Sequence, residues 1–245
     1  MSQQETVHVL QDGLVHIQNA IPTSTQYELV QYIIEHEAHN LTPQSVKRMN
    51  ILVSESLSKE NCQTLHSLAQ HWLQIAHNQS PSIVDSEDLN LIRLNWYPPS
   101  GKIGYHADTI PNMSTQDHLQ YTRPVVSISL GNDATFLYKN QLEDEEQSIH
   151  LKSGDVVIFA GPSRMIFHSV PEIFSNPAQD TLLKTMGMFA NGRFNITMRN
   201  EFIFKEGDTY LPLTGRTEQG KYLTAHAIKA GVNLDMAIGS APMND

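Results

Sequence analysis

The run Arg193-Phe194-Asn195-Ile196-Thr197-Met198-Arg199 alternates polar and apolar side chains without interruption, and it constrains the fold more than any other stretch. A period of two puts Phe194, Ile196 and Met198 on one face of a strand and Arg193, Asn195, Thr197 and Arg199 on the other. The apolar face requires a core to lie against. The polar face carries two arginines six positions apart, and the planar fork of arginine matches a carboxylate with two parallel hydrogen bonds. Such a face reads as the wall of an anion site, with room for the two ends of a keto-dicarboxylate.

The same spacing recurs upstream. Asn95 and Tyr97 are two apart, so they can share one pocket. His106 and Asp108 are also two apart, at the end of a short strand that follows the turn Pro98-Pro99-Ser100-Gly101, where Thr109, Ile110 and Pro111 leave the sheet. His168 follows the β-rich run Gly154–Gly161 and a turn at Pro162-Ser163. Two histidines and one carboxylate occupy one face of an octahedral Fe(II), leaving three positions for a chelating co-substrate and dioxygen. Zinc accepts the same ligands, but a catalytic zinc needs one open position and leaves the twin arginines unexplained. Taken singly, His168 reads as a buried histidine satisfied by a carbonyl and residues 193–199 as an edge strand. Those readings account for the apolar half of the pattern and not for the asparagine, threonine and arginines together. The expected metal ligands are therefore His106, Asp108 and His168.

The rest of the chain sorts into two textures. Pro22-Thr23-Ser24-Thr25 before Gln26 and Glu28 reads as a capped helix start, with Tyr27, Val30, Ile33 and Ile34 at helical spacing. A second helix is expected from near Ser58, with Leu65, Leu68, Ala69, Trp72 and Ala76 as its apolar stripe. His36, His66, His71 and His77 on these helices lack paired partners and are read as surface or core-edge residues. From Asp88 onward, short β-type runs separated by turn residues predict strands at 89–97, 102–106, 125–130, 135–138, 148–151, 156–160, 165–170, 183–188 and 194–204. No helix alternates regularly with them, as a parallel sheet would require. The predicted fold is mainly β with flanking α: a double-stranded β-helix (jelly-roll) core with N-terminal supporting helices. As one domain, residues 1–88 supply helical support and a substrate lid, 89–204 the core, and 205–245 a C-terminal extension to which no role is assigned. Within that extension 218–229 can form one helix.

Charge and cysteine usage narrow the setting. A net charge of −10 opposes non-specific binding to duplex phosphate, although a local basic edge drawn from Lys47, Arg48, Arg123, Lys139 and Arg164 can still face a polynucleotide. The acidic run Glu143–Glu146 reads as a solvated hairpin loop. Cys62 is the single cysteine, which leaves no internal disulfide or thiolate cluster. The N-terminus lacks the features of a secretory or transit signal, and no apolar run approaches the roughly 20 residues of a membrane span. The expectation is a cytoplasmic protein with no membrane partner.

These residues resemble the AlkB-like family of Fe(II)- and 2-oxoglutarate-dependent dioxygenases from about Leu91 to Asn200. The motifs are Asn95-Trp96-Tyr97-Pro98, His106-Ala107-Asp108, Val126-Ser127-Ile128-Ser129-Leu130-Gly131, Gly154-Asp155-Val156, Ser163-Arg164 shortly before His168, and the run 193–199. The resemblance implies Fe(II) as cofactor with 2-oxoglutarate and O2 as co-substrates. It gives Arg193 and Tyr97 the distal carboxylate of 2-oxoglutarate, Asn95 and Arg199 the carboxylate that chelates iron, and Asn195 an assisting role, with Thr197 on the same wall. It also implies oxidative demethylation of alkylated bases in single-stranded DNA or RNA, which makes nucleic acid the expected partner. The chain departs from the family at Ile110, where repair-type members often carry a second acidic residue. The lid stretch 40–58 holds no aromatic residue, and only Lys47, Arg48 and Met49 resemble a nucleotide-facing patch. Trp96 and Tyr105 read as strand residues rather than as a stacking platform. Two other readings stand beside the demethylase: the same oxygenase chemistry on a protein side chain or small metabolite, and a non-catalytic jelly-roll binding protein.

Overall fold

In a computed structural model, the described residues are 4–37, 49–52, 59–84, 89, 91–109, 122–175, 180–200, 202–206 and 209–212. They form β1 (Thr6–Gln11), β2 (Leu14–Gln18), α1 (Thr23–Tyr32), β3 (Met49–Leu52), α2 (Lys59–Gln79), β4 (Leu91–Tyr97), β5 (Ile103–His106) and β6 (Val125–Gly131). These are followed by β7 (Asp133–Lys139), β8 (Gln147–Leu151), β9 (Val156–Phe159), β10 (Phe167–Phe174), α3 (Asp180–Thr185), β11 (Arg193–Arg199), β12 (Phe202–Glu206) and β13 (Thr209–Pro212).

A seven-stranded sheet in the order β1-β2-β9-β6-β11-β4-β3 faces a four-stranded sheet in the order β5-β10-β7-β8. This is the expected jelly-roll. The alternating run forms β11, near the middle of the larger sheet, bonded to β4 on one side and β6 on the other. Its apolar face, with Phe194, Ile196 and Met198, joins Ile92, Leu94, Val126 and Ile128 beneath Trp72, Leu73 and Ala76 of α2 in a fully buried core. Between the sheets, Phe136, Tyr138, Leu151, Val157 and Phe159 make a second core. Apolar burial on both sides of one sheet explains why every position of β9 is buried.

Several expectations need correction. Residues 183–188 do not form a strand. Leu182, Leu183 and Met186 are buried at helical spacing, the Thr185 hydroxyl donates to Leu182 O at 2.6 Å, and α3 runs into a 3-10 turn at Gly187–Phe189. Period-two and helical burial cannot be told apart in so short an apolar run. The strand expected over 194–204 ends at Arg199, and β12 pairs with β13 instead. No hydroxyl caps α1: Pro22 occupies the capping position, and buried Gln26 donates to Ile21 O while accepting from the Ser153 hydroxyl. The helical spacing that continues past Tyr32 falls in a π-helical turn, Ile33–Glu37. Four strands were not anticipated: β1, β2, β3 and β13. β1 and β2 join through Asp12-Gly13, with Gly13 at φ +79°, a left-handed conformation that favours glycine. β3 lies within the stretch read as a lid and pairs with β4. Lys47, Arg48, Ile110 and 218–229 lie outside the described residues.

Among the described residues no helix is long and apolar enough to cross a membrane. Residues 143–146 are exposed in the β7–β8 connection, as expected for a solvated loop. Arg164 does not belong to a basic surface edge, because it is 1% exposed. Lys139 lies over the Tyr105 ring, 4.3 Å from its centroid, and Tyr105 donates to Glu146 at 2.8 Å. Trp96 packs edge-on against Phe189, on the sheet face turned away from the cavity described below.

Candidate metal and dianion site

Strand register brings the two histidines together. His106 and His168 are direct partners in the β5–β10 ladder, and side chains directly opposite in an antiparallel pair share a face. Their ring centroids lie 4.3 Å apart. Asp108 stands two residues beyond the end of β5, where a turn bond from Thr109 N to Ala107 O begins the exit from the sheet. One ligand atom from each of His106, Asp108 and His168 falls within 4.8 Å of the others, and among the described residues no second group of metal-ligating side chains does so.

The hydrogen bonds decide which ring nitrogens are offered. His106 Nδ1 lies 2.9 Å from Gly104 O and His168 Nδ1 3.2 Å from Ile166 O. A carbonyl only accepts, so each Nδ1 carries the proton and each Nε2 keeps a lone pair for a cation. His106 Nε2 is 3.8 Å from Asp108 Oδ1. Burial pushes the His168 pKa down to about 4, against the pull of Asp108, which keeps the imidazole neutral as a metal ligand must be. Burial alone would raise the Asp108 carboxyl; Arg199, His168, Arg164 and His106 outweigh it and hold the group well below the usual carboxylate range. Arg199 Nη1 lies 3.5 Å from Asp108 Oδ2.

Behind the triad is a cavity of about 210 Å³. One wall is the polar face of β11 with the matching faces of its neighbours, because Arg193, Asn195, Thr197 and Arg199 stand opposite Tyr97, Asn95, Arg93 and Leu91 of β4. Arg193 is 2% exposed, donates from Nη2 to Ser129 Oγ at 2.7 Å, and keeps its Nε buried with no hydrogen-bond partner. Its pKa is pushed down to about 10 by burial, in spite of Tyr97 and Asp155. Asn95 Oδ1 is likewise buried without a hydrogen-bond partner. Groups left so are costly unless something supplies the missing bond. Asn195 is engaged at both ends, donating to Ser127 Oγ and Ile128 O and accepting from Thr197 Oγ1 at 3.0 Å. Asn195 and Thr197 therefore stiffen the wall, while Arg193 and Asn95 hold unused capacity toward the cavity.

Every expected site residue lines this one cavity. His66, His71 and His77 do not: His71 Nε2 lies 3.8 Å from Glu5, and His77 Nδ1 meets Ile83 O at 2.7 Å. Reading from sequence missed Arg93, Ser127 and Ser129. The signal was present, since Arg93 is two before Asn95 and both serines alternate through β6. It also missed the buried pair His16 and Asp155, 3.0 Å apart. Asp155 accepts further bonds from the backbone amides of Asn19 and Lys152 and so ties β2 to the start of β9.

A two-sheet jelly-roll with two Nε2 atoms and a carboxylate at its mouth, and a buried arginine within, is the scaffold of a metal-dependent oxygenase that uses a dianionic co-substrate. The chain belongs to the 2OG-Fe(II) oxygenase superfamily, whose family model matches residues 13–199, and within it to the AlkB-like group. It is 33% identical over 171 residues to the DNA N(6)-methyladenine demethylase ALKBH1D of Arabidopsis thaliana, a match covering 66% of this chain and 38% of that protein. It is 37% identical over 91 residues to the tRNA demethylase abh1 of Schizosaccharomyces pombe, covering 37% of this chain and 28% of that protein. The chain thus spans well under half the length of these relatives. The solved structure of OsALKBH1 shares the fold at a TM-score of 0.63 and 22% identity, covering 79% of this chain and 99% of that one. The family uses Fe(II), 2-oxoglutarate and O2. The residues present fit that set: the donors suit Fe(II), and the orphaned Arg193 Nε, a buried donor, marks the polar end of a cavity ready for an acid.

Proposed function

We propose that the protein is an Fe(II)- and 2-oxoglutarate-dependent dioxygenase that oxidatively demethylates alkylated bases in single-stranded DNA or RNA, releasing formaldehyde, succinate and CO2. The observation that carries the oxygenase half is the pair of Nδ1-to-carbonyl bonds, which aim His106 Nε2 and His168 Nε2 at the Asp108 carboxylate. The relatives named as DNA and tRNA demethylases support the nucleic-acid half.

In this reading His106, Asp108 and His168 hold the iron, which when bound supplies the oxidising chemistry toward a C–H bond. Arg193 takes the distal carboxylate of 2-oxoglutarate, backed by Ser129 Oγ and beside Tyr97. Arg199 and Asn95 serve the other carboxylate, and Arg199 also steadies Asp108. Burial of the wall excludes water and strengthens each of these contacts. The cavity is smaller than the roughly 300–1,000 Å³ of sites that enclose a drug-sized ligand, so it admits the co-substrate and only the reacting end of a second substrate. Hydroxylation of an N-methyl carbon gives a hemiaminal that breaks to formaldehyde and the free amine.

The test is incubation with Fe(II), 2-oxoglutarate, ascorbate and a panel of methylated single-stranded DNA and RNA oligonucleotides, followed by mass spectrometry. Loss of methyl mass matched by succinate is the expected result. Succinate formation with every oligonucleotide unchanged would transfer the same chemistry to a protein side chain or small metabolite.

A further inference from the structure

The Ser163-Arg164 pair lies in the turn between β9 and β10, ahead of His168. Resting on the metal-site reading above, we infer that Arg164 is the positioning residue for Asp108, fixing the one metal ligand that the strand ladder leaves unpaired.

The two histidines are held by the sheet, since they face each other across β5 and β10. Asp108 lies outside that ladder. Its main-chain carbonyl is instead taken by Arg164, whose Nη1 donates to Asp108 O at 2.7 Å and lies 3.6 Å from Met165 Sδ. The guanidinium is almost fully enclosed, at 1% exposure. A buried charge calls for partners, and this one donates to the backbone at the carboxylate ligand itself. Its other end is anchored. Arg164 N bonds Gly161 O at 3.1 Å, and the adjacent Ser163 hydroxyl donates to Asp12 O in the β1–β2 turn at 2.6 Å. The turn at 161–164 is therefore braced against the β1–β2 hairpin and reaches across to the exit of β5. Loss of that reach leaves the Asp108 main chain on a segment tethered by β5 on one side, beside the local Thr109–Ala107 turn bond, while Arg199 still holds the carboxylate end. Groups that orient a ligand without touching the metal typically change its affinity by 10- to 100-fold when removed.

The test is Mn(II) affinity, measured by calorimetry on the full, metal-stripped chain, so that no turnover is required. Arg164→Met keeps the stem and removes donor and charge; it is expected to weaken Mn(II) binding about tenfold. Arg164→Lys keeps a charge on a single-headed donor and is expected between Met and the native residue. Ser163→Ala loosens the same turn without touching Asp108 and is expected to bind Mn(II) within about twofold of native. Native-like affinity in Arg164→Met overturns the inference, as does an equal loss in Ser163→Ala, which would indicate general loosening. If Arg164→Met does not fold, native affinity in Arg164→Lys overturns it. Asp108→Ala separates the two readings: Mn(II) binding unchanged in that variant refutes the metal site itself, whereas its loss beside a native-like Arg164→Met refutes the role of Arg164 alone.

Discussion

Arg193→Met is the perturbation with the most unusual expected signature, because it removes a charge that the empty cavity supports poorly and the filled cavity needs. A guanidinium whose pKa is pushed down from its ordinary value to about 10 by burial stays charged at pH 7 at a cost of about 3 kcal/mol relative to water. Methionine relieves that cost and gives up the bond to Ser129 Oγ, worth about 1 kcal/mol, so the variant without 2-oxoglutarate should be at least as stable as the native protein. Binding moves the other way. Removing one partner of a buried charged pair costs about 3 kcal/mol, or roughly 100-fold in affinity. At a 2-oxoglutarate concentration 100 times the native Kd, the native protein gains about 2.7 kcal/mol of stability from the ligand, and the variant about 0.4 kcal/mol. Urea unfolding with Mn(II), with and without 2-oxoglutarate, reads both quantities. A variant that keeps the full stabilisation by 2-oxoglutarate, or that loses several kcal/mol without it, would refute the assignment of Arg193 to the distal carboxylate.

Three other outcomes are expected. His168, whose pKa is pushed from 6.5 down to about 4, binds fewer protons folded than unfolded between those values; stability of the metal-free protein should therefore fall as pH drops from about 6.5 to about 4, and His168→Gln should flatten that slope in urea midpoints. Asp155→Ala leaves His16, Asn19 N and Lys152 N without their acceptor and should lose about 3 kcal/mol in urea unfolding; a change below about 1 kcal/mol would show that water replaces the carboxylate. Gly13→Ala forces a side chain into a left-handed turn against the Ala160 carbonyl and should lower stability by about 2 kcal/mol while leaving Mn(II) affinity intact.

The site was more legible in the sequence than its surroundings, for a physical reason. Arg193, Asn195, Thr197 and Arg199 announce themselves because a strand with one polar and one buried face must alternate, and His106 with Asp108 obeys the same period. The histidine on a different strand, His168, needed the chemistry of the metal to join it to them, since nothing local in Phe167-His168-Ser169 marks a ligand. Local pattern failed where packing decides. Leu183 and Met186 satisfy helix and strand equally until the sheet above them is known. Met49–Leu52 forms a strand because β4 offers it an open edge, and its own sequence does not demand one. Arg164 looked like a surface cation, as arginines usually are, and only the fold reveals that it turns inward to Asp108 O. What lies opposite the triad on the substrate side depends on contacts between segments distant in sequence, which is why the substrate was the least readable part.

The position of β11 has a consequence for how the protein comes into being. It pairs with β4 and β6, so Arg193 meets Tyr97 and Arg199 meets Leu91 only after a loop of about a hundred residues has closed, the kind of long-range pairing that makes folding slow. On a ribosome, every expected iron ligand is synthesised before the strand that completes the carboxylate wall. A nascent chain halted short of Arg199 carries His106, Asp108 and His168 without that wall, so the capacity to retain 2-oxoglutarate serves as a report that synthesis has passed β11 and that the sheet has closed around it.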